Sequence, residues 1–337
     1  MPKRTGKKTI LFEKPPSIIS SGSVAGKKEG EGPLAPYFDT IMKESRMGQP
    51  SWEKAERLMQ KNSAQKALEK AGLAFSDIDY IFAGDLLNQC VSSSYAFREY
   101  DVSFFGLYGA CSTIAESLCL AAVFAESGAA KNCLCATSSH FCSAERQFRF
   151  PLEYGGQLTP TSQWTATAAG AFIVSSSGAA PFVRAATVGA IEDLGIKDIN
   201  NMGAAMAPAA AKTIGNFLAD TKTKPSDYDL ILSGDLGKVG SDMLLQLLKR
   251  EGVDISQNHN DCGLILFDES QEVNAGASGA GCSAAVLASY IMPKLKSGEL
   301  GDILFVATGA LMSTLTVQQG ESIPCIAHLV RLSHGLL

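Results

Sequence analysis

A chain of 337 residues exceeds the usual span of one hydrophobic core, so two cores or two duplicated halves are expected. Hydrophobic residues make up 46% and charged residues 19%, with 32 glycines, which is the make-up of a compact globular protein with many tight turns. A formal charge of -5, with no Lys/Arg run interleaved with aromatics, argues against nucleic acid as a partner.

The start, Met1 to Lys8, is basic, but no apolar signal core follows before Glu13, Lys14 and Pro15-Pro16. Synthesis and retention in a cytoplasm-like compartment are therefore expected. Gly22-Ser23-Val24-Ala25-Gly26-Lys27-Lys28 is one residue short of phosphate-loop spacing and lacks the following Ser or Thr, so it reads as a mobile, glycine-rich loop. A helix is predicted next, with Ser51 as its N-cap, Glu53 and Glu56 at its positive end, an apolar face from Ala55 to Ala71, and Gly72 closing it.

Beyond it the chain repeats itself. Ser76-Asp77-Ile78-Asp79-Tyr80-Ile81-Phe82-Ala83-Gly84-Asp85-Leu86 recurs 150 residues later as Ser226-Asp227-Tyr228-Asp229-Leu230-Ile231-Leu232-Ser233-Gly234-Asp235-Leu236. Cys111-Ser112 opens a small-residue helix that ends at Ser127-Gly128 and leads to a strand reaching Ala136-Thr137-Ser138. Cys282-Ser283 opens another, ending near Ser297-Gly298 and leading to a strand reaching Ala307-Thr308-Gly309. This second offset is 171, so the later copy carries an insertion of about twenty residues. Each copy reads helix, strand, turn, helix, strand, which implies parallel pairing with right-handed crossovers. The join is placed near residue 180, after the strand Ala169–Ser175, giving halves 1–180 and 181–337. His259, between two asparagines, reads as a turn residue before a strand Cys262–Phe267.

The nearly uncharged stretch Phe104–Phe124 is broken by Glu116 and rich in small residues, so it reads as a buried core helix and not a membrane span. The nine cysteines lie in apolar settings and no Cys-x-x-Cys pair exists, so reduced thiols are expected. The four histidines stand far apart, so no metal site is expected.

Gly109-Ala110-Cys111-Ser112-Thr113 sets a cysteine between the strand-like run Asp101–Tyr108 and a helix start. Unpaired N–H groups and the helix dipole there favour an anion, so this thiol is expected to be more acidic than free cysteine. The plain alternative is a small buried residue where helix meets sheet. Asp85 and Asp235, leaving the repeated strands, would either meet near the pseudo-twofold axis or cap their own loops, and capping is favoured for at least one.

Two duplicated α/β halves with a cysteine opening the first buried helix resemble the thiolase and ketoacyl-synthase superfamily, a fold layered α-β-α-β-α. More specifically, Leu86-Leu87-Asn88-Gln89, Gly109–Thr113, Ala136–His140, Ala144–Arg149, Glu153–Gln157, Met206–Ala211 and Asp261–Leu264 resemble the stage V sporulation protein AD family of spore-forming bacteria. That resemblance runs from about residue 5 to about 330.

The resemblance implies a thiolase fold without established condensing activity, which binds dipicolinate (pyridine-2,6-dicarboxylate), alone or as its calcium chelate. It implies a role in moving that ligand into the developing spore, and a place in germination. Its implied partners are the membrane proteins of the same channel, so the protein would be peripheral at the spore inner membrane; the fold usually pairs as a homodimer. No cofactor is expected.

Aligned through the repeat, the histidine of initiating ketoacyl synthases falls near Gly234-Asp235 and their asparagine at Gly281, beside Cys282. A glycine supplies neither base nor oxyanion donor through a side chain, so Cys111 is read as vestigial and the protein as no enzyme. The alternative is a condensing or acyl-transfer enzyme using Cys111 with His140 or His328 as an unconventional base.

A flat dianion needs cationic or N–H donors across a slot with apolar walls. The candidate ligand-binding residues are Cys111, His140, Arg146, Arg149, Tyr154, Gln157 and His328. For Arg146 and Arg149 a surface ion pair with Glu145 or Glu153 competes with ligation. His328 is either a group reaching the pocket or a satisfied core histidine.

Overall fold

The computed structural model describes residues 1–148 and 158–335. Its first half supplies strands β1 (Ser17–Ala25), β2 (Tyr80–Gly84), β3 (Ser103–Gly106), β4 (Asn132–Ser139) and β5 (Ala168–Ser175). The second supplies β6 (Phe182–Thr187), β7 (Leu230–Ser233), β8 (His259–Asp261), β9 (Asp302–Ala310) and β10 (Cys325–Ser333). Side by side they run β3-β2-β4-β5-β1 and then β6-β10-β9-β7-β8, two copies of one order meeting where Phe182 pairs with Ser17. In each copy the three outer strands are parallel and the two nearest the joint are antiparallel.

The helices are α1 (Trp52–Ala71), α2 (Val91–Phe97), α3 (Thr113–Ser127), α4 (Phe141–Phe148), α5 (Met202–Thr221), α6 (Gly237–Arg250) and α7 (Ala280–Val286). A π-helical turn, Leu287–Ile291, carries α7 on into Met292–Ser297. The ends of α1 follow from its sequence: the Ser51 hydroxyl accepts from the Lys54 N–H at 3.3 Å, and Gly72, at φ 65°, donates to the Leu68 and Glu69 carbonyls.

Alternation along the strands builds the layers. Leu134 and Ile173 point to one side, against Ala64, Ala67 and Leu68 of α1, while their neighbours Cys135 and Phe172 point to the other, against Ile114 and Leu118 of α3. In the second half Leu304 and Val306 join Met206, Ile214 and Phe217 of α5, while Ile303 and Phe305 turn inwards. The result is α1, sheet, α3 with α7, sheet, then α5 with α6: five layers, as expected. The run Ala110–Ser127 is long and apolar enough to cross a membrane by length and composition, but 67% of it is buried in this central layer.

Two local expectations fail. Residues 22–25 are not a mobile loop but the end of β1, a nearly fully buried strand whose serines and glycine let α1 pack closely on it. Cys262–Phe267 is not a strand: His259–Asp261 pairs in parallel with β7, and Cys262–Ile265 is a helical turn. A short apolar run carries no period that separates these outcomes, and the pairing partner decides it.

Candidate functional site around Cys111

Cys111 sits in a tight turn, Ala110–Ser112, that leads directly into α3. Ala110 takes φ 49°, an unusual value for a residue with a side chain, which marks the sharp bend out of the sheet. The turn is tied by its own polar atoms: Ser112 Oγ donates to the Gly109 carbonyl at 2.6 Å, and the Gly109 N–H donates to Thr113 Oγ1 at 3.1 Å. From across the molecule β9 presses on it. A Cβ added at Gly309 would lie 2.2 Å from the Gly109 carbonyl oxygen, so glycine is required where the second half meets this turn.

The thiol faces Asp235, which leaves the end of β7. This carboxylate is fully buried and accepts from Ser278 Oγ, the Gly279 N–H and Thr308 Oγ1, each at 2.9 Å. Burial, followed by the Asp235 charge, pushes the Cys111 thiol well above the usual range. This reverses the acidic thiol expected from the helix start: desolvation and a facing carboxylate outweigh the dipole. Its repeat partner behaves differently. Asp85 accepts from the Leu87 N–H at 2.9 Å and from Ser93 N and Oγ at 2.8 and 2.7 Å, tying down the loop that follows its own strand.

Cys111 lines a narrow cavity of about 60 Å³ between the halves. Apolar walls come from Leu86, Tyr108, Phe148, Met202, Met206 and Met312, and polar atoms from Glu145, Gln163, Thr165, Asn200 and Ser278. No Lys, Arg or His lines it among the described residues. Nothing in the sequence singles out Gln163, since Thr-Ser-Gln-Trp carries no pattern. Its Nε2 donates to the buried Asp235 and Ala277 carbonyls at 2.7 and 2.8 Å, which fixes the amide and leaves Oε1 buried and without a partner. Such an acceptor favours a ligand or water that brings a donor.

The other candidates stand apart from the cavity wall. His140 is buried, with Nε2 2.7 Å from the Ser45 carbonyl and Nδ1 accepting from the Cys142 N–H at 3.1 Å; burial lowers its pKa. Arg146 pairs with Glu53 at the start of α1 and lies 5.3 Å from the Trp52 ring centroid. The ion pair set against ligation is thus present, though with Glu53 and not Glu145. Arg146 nonetheless shares α4 with the lining residues Ala144, Glu145 and Phe148. His328 belongs to β10, opposite Ala307, and accepts from the Gly189 N–H at 3.3 Å; burial lowers its pKa to about 4. It is a core histidine. Arg149, Tyr154 and Gln157 lie outside the described residues.

At the two positions aligned with condensing-enzyme partners, the strand exit holds Asp235 and the helix start holds Gly281. A Cβ on Gly281 would fall 2.0 Å from the Ala168 carbonyl oxygen. Cys282 beside it is fully buried, with Sγ 4.0 Å from the Gly234 carbonyl oxygen, and burial pushes its thiol well up. No group of three or more His, Cys, Asp or Glu able to hold a metal ion occurs among the described residues.

A profile of the stage V sporulation protein AD family matches residues 6–333. The chain belongs to that family. It is 46% identical over 326 residues to stage V sporulation protein AD of Bacillus subtilis (strain 168), covering 97% of this chain and 96% of the relative. Solved structures that share the fold are condensing enzymes. 3-Oxoacyl-[acyl-carrier-protein] synthase III from Aquifex aeolicus VF5 aligns with a TM-score of 0.57 at 15% identity, covering 94% of this chain and 99% of that one. A single-residue variant of OleA from Xanthomonas campestris aligns with 0.59 at 15% identity, covering 96% and 99%. At such identity these neighbours establish the thiolase-like fold alone. The protein is therefore a sporulation protein built on the fold of condensing enzymes.

Proposed function

We propose that this protein is a ligand-binding member of the sporulation machinery, not a condensing enzyme, and that its ligand is dipicolinate, free or as the calcium chelate. The observation that carries the non-catalytic part is the pairing of Cys111 with Asp235. A nucleophilic thiol needs a base or a positive neighbour; this one is buried and faces a carboxylate, and burial first and the Asp235 charge second keep it protonated. Family membership supports the choice of ligand. The narrow cavity supports a small molecule with an apolar ring, because Tyr108, Phe148 and three methionines are among its lining residues.

In this reading Arg146, one position from the lining residue Glu145, would leave Glu53 to meet a ligand carboxylate. Arg149, Tyr154 and Gln157 would complete the site, and His140 and His328 would serve it only by holding β4 and β10 in place. The protein would sit at the spore inner membrane beside the channel proteins of the same system, as a homodimer. Isothermal titration with pyridine-2,6-dicarboxylate, with the 3,5-isomer as control, tests the reading. Saturable binding of the 2,6-isomer alone supports it; no heat and no thermal shift with either isomer refutes it.

One observation favours a second reading. The bend at Ala110 presents Cys111 to a cavity in a fold whose solved neighbours are condensing enzymes. An acyl adduct on Cys111 after incubation with acyl-CoA, detected by mass spectrometry, would establish that reading over the first.

A further inference from the structure

The first eight residues carry four cations, Lys3, Arg4, Lys7 and Lys8, and no acid, while the rest of the chain holds 25 cations against 34 acids. This imbalance is laid out on a rigid platform. Lys3–Thr5 pairs with Thr9–Leu11 as a hairpin turned at Gly6, and the second strand pairs in turn with β6, Leu11 opposite Ala185. Asp220, at the end of α5, accepts from the Lys7 and Lys8 backbone N–H groups at 3.1 and 3.0 Å and from Thr9 Oγ1 at 3.0 Å. That carboxylate is spent on the backbone, so the lysine side chains are left free.

All four cationic side chains are exposed, and none forms an ion pair among the described residues. Arg4, Lys7 and Lys8 line one open groove with Pro2, Ile10 and Val123, and Met1 stands beside it, 82% exposed. No residue of this groove lines the Cys111 cavity. Four exposed cations on one hairpin outnumber the single Asp220 carboxylate held against its backbone, and an extended anionic surface can meet all four at once.

We propose that this N-terminal hairpin is a direct contact for an anionic phospholipid surface. A membrane fits better than an acidic peptide because apolar Met1 and Pro2 stand beside the cations of this short hairpin, which suits shallow contact with headgroups. The inference stands on the charge map and is independent of what the Cys111 cavity binds.

Vesicle co-sedimentation of the full chain tests it, comparing pure phosphatidylcholine with vesicles about one-third phosphatidylglycerol. Binding to the anionic vesicles alone is expected, fading as salt rises from about 0.1 M to 0.5 M and the screening length shrinks. Each cation near such a surface contributes about fivefold, so Lys7→Gln/Lys8→Gln should bind about 25-fold more weakly and Lys7→Glu/Lys8→Glu should fall to background. Lys249→Glu/Arg250→Glu, exposed at the far end of α6, should bind as the wild type does. Equal binding to both vesicle types, or undiminished binding by a hairpin variant whose melting matches wild type, would overturn the proposal. Retention on polyglutamate without any vesicle binding would overturn it in favour of an acidic protein partner.

Discussion

The carboxylate of Asp235, from the second half, stands near enough to the thiol of Cys111, from the first, for its charge to raise that thiol's pKa. Replacing that carboxylate by an amide removes the charge that helps hold the thiol up, while burial remains. Asp235→Asn should therefore lower the pH at which Cys111 becomes alkylated by iodoacetamide. The pH profile of modification, read by mass spectrometry, checks it. An unchanged profile would mean that burial alone keeps the thiol protonated.

Glu56 gives the fold a pH dependence. It is fully buried, accepts from Ser138 Oγ at 3.2 Å and Ser143 Oγ at 2.6 Å, and burial followed by the nearby Asp85 charge raises its pKa from 4.5 to about 8. Between these values the folded state keeps a proton that the unfolded chain releases, so stability falls as pH rises and this contribution is lost above about 8. Glu56→Gln should melt like wild type near pH 5 and at least about 2 °C higher near pH 9. Parallel melting curves across this range would contradict the assignment.

Arg146 separates a structural from a binding role by magnitude. Its pair with Glu53 is partly exposed, so Arg146→Ala should cost no more than about 1 kcal/mol of stability. If the arginine also meets the ligand, affinity for pyridine-2,6-dicarboxylate should drop tenfold or more while the melting temperature barely moves. Loss of stability with unchanged titration would leave it a clasp between α1 and α4.

Restoring an asparagine at Gly281 should not restore a condensing site. The Cβ has no room against the Ala168 carbonyl and the Ser139 N–H, so Gly281→Asn should destabilise by about 2 kcal/mol or more. Thermal denaturation checks it; a well-folded variant that gains acyl adducts on Cys111 would revive the enzymatic reading.

The architecture is legible in the sequence because a duplicated chain states its plan twice. Gly84 and Gly234 mark the same strand exit, and Cys111 and Cys282 the same helix start, so two copies of one strand order follow. The site is less legible. Cys111 stands out by its place at a helix start, yet its protonation depends on Asp235, more than a hundred residues away, which no local pattern connects to it. Gln163 carries no signal at all, since its importance lies in two backbone carbonyls that hold its amide. His328 is ambiguous without the pairing of β10 against β9, and the apolar run beside His259 hides the strand that contains it.

The contact of Gly309 with the Gly109 carbonyl sets backbone against backbone next to the lining residues Ala110 and Ala310, and backbone has no rotamers with which to yield. Met202, Met206 and Met312, by contrast, line the same cavity with long thioether side chains. Ligand thickness is thus a matter for the methionines, which can change rotamer, while the backbone that carries the thiol stays put.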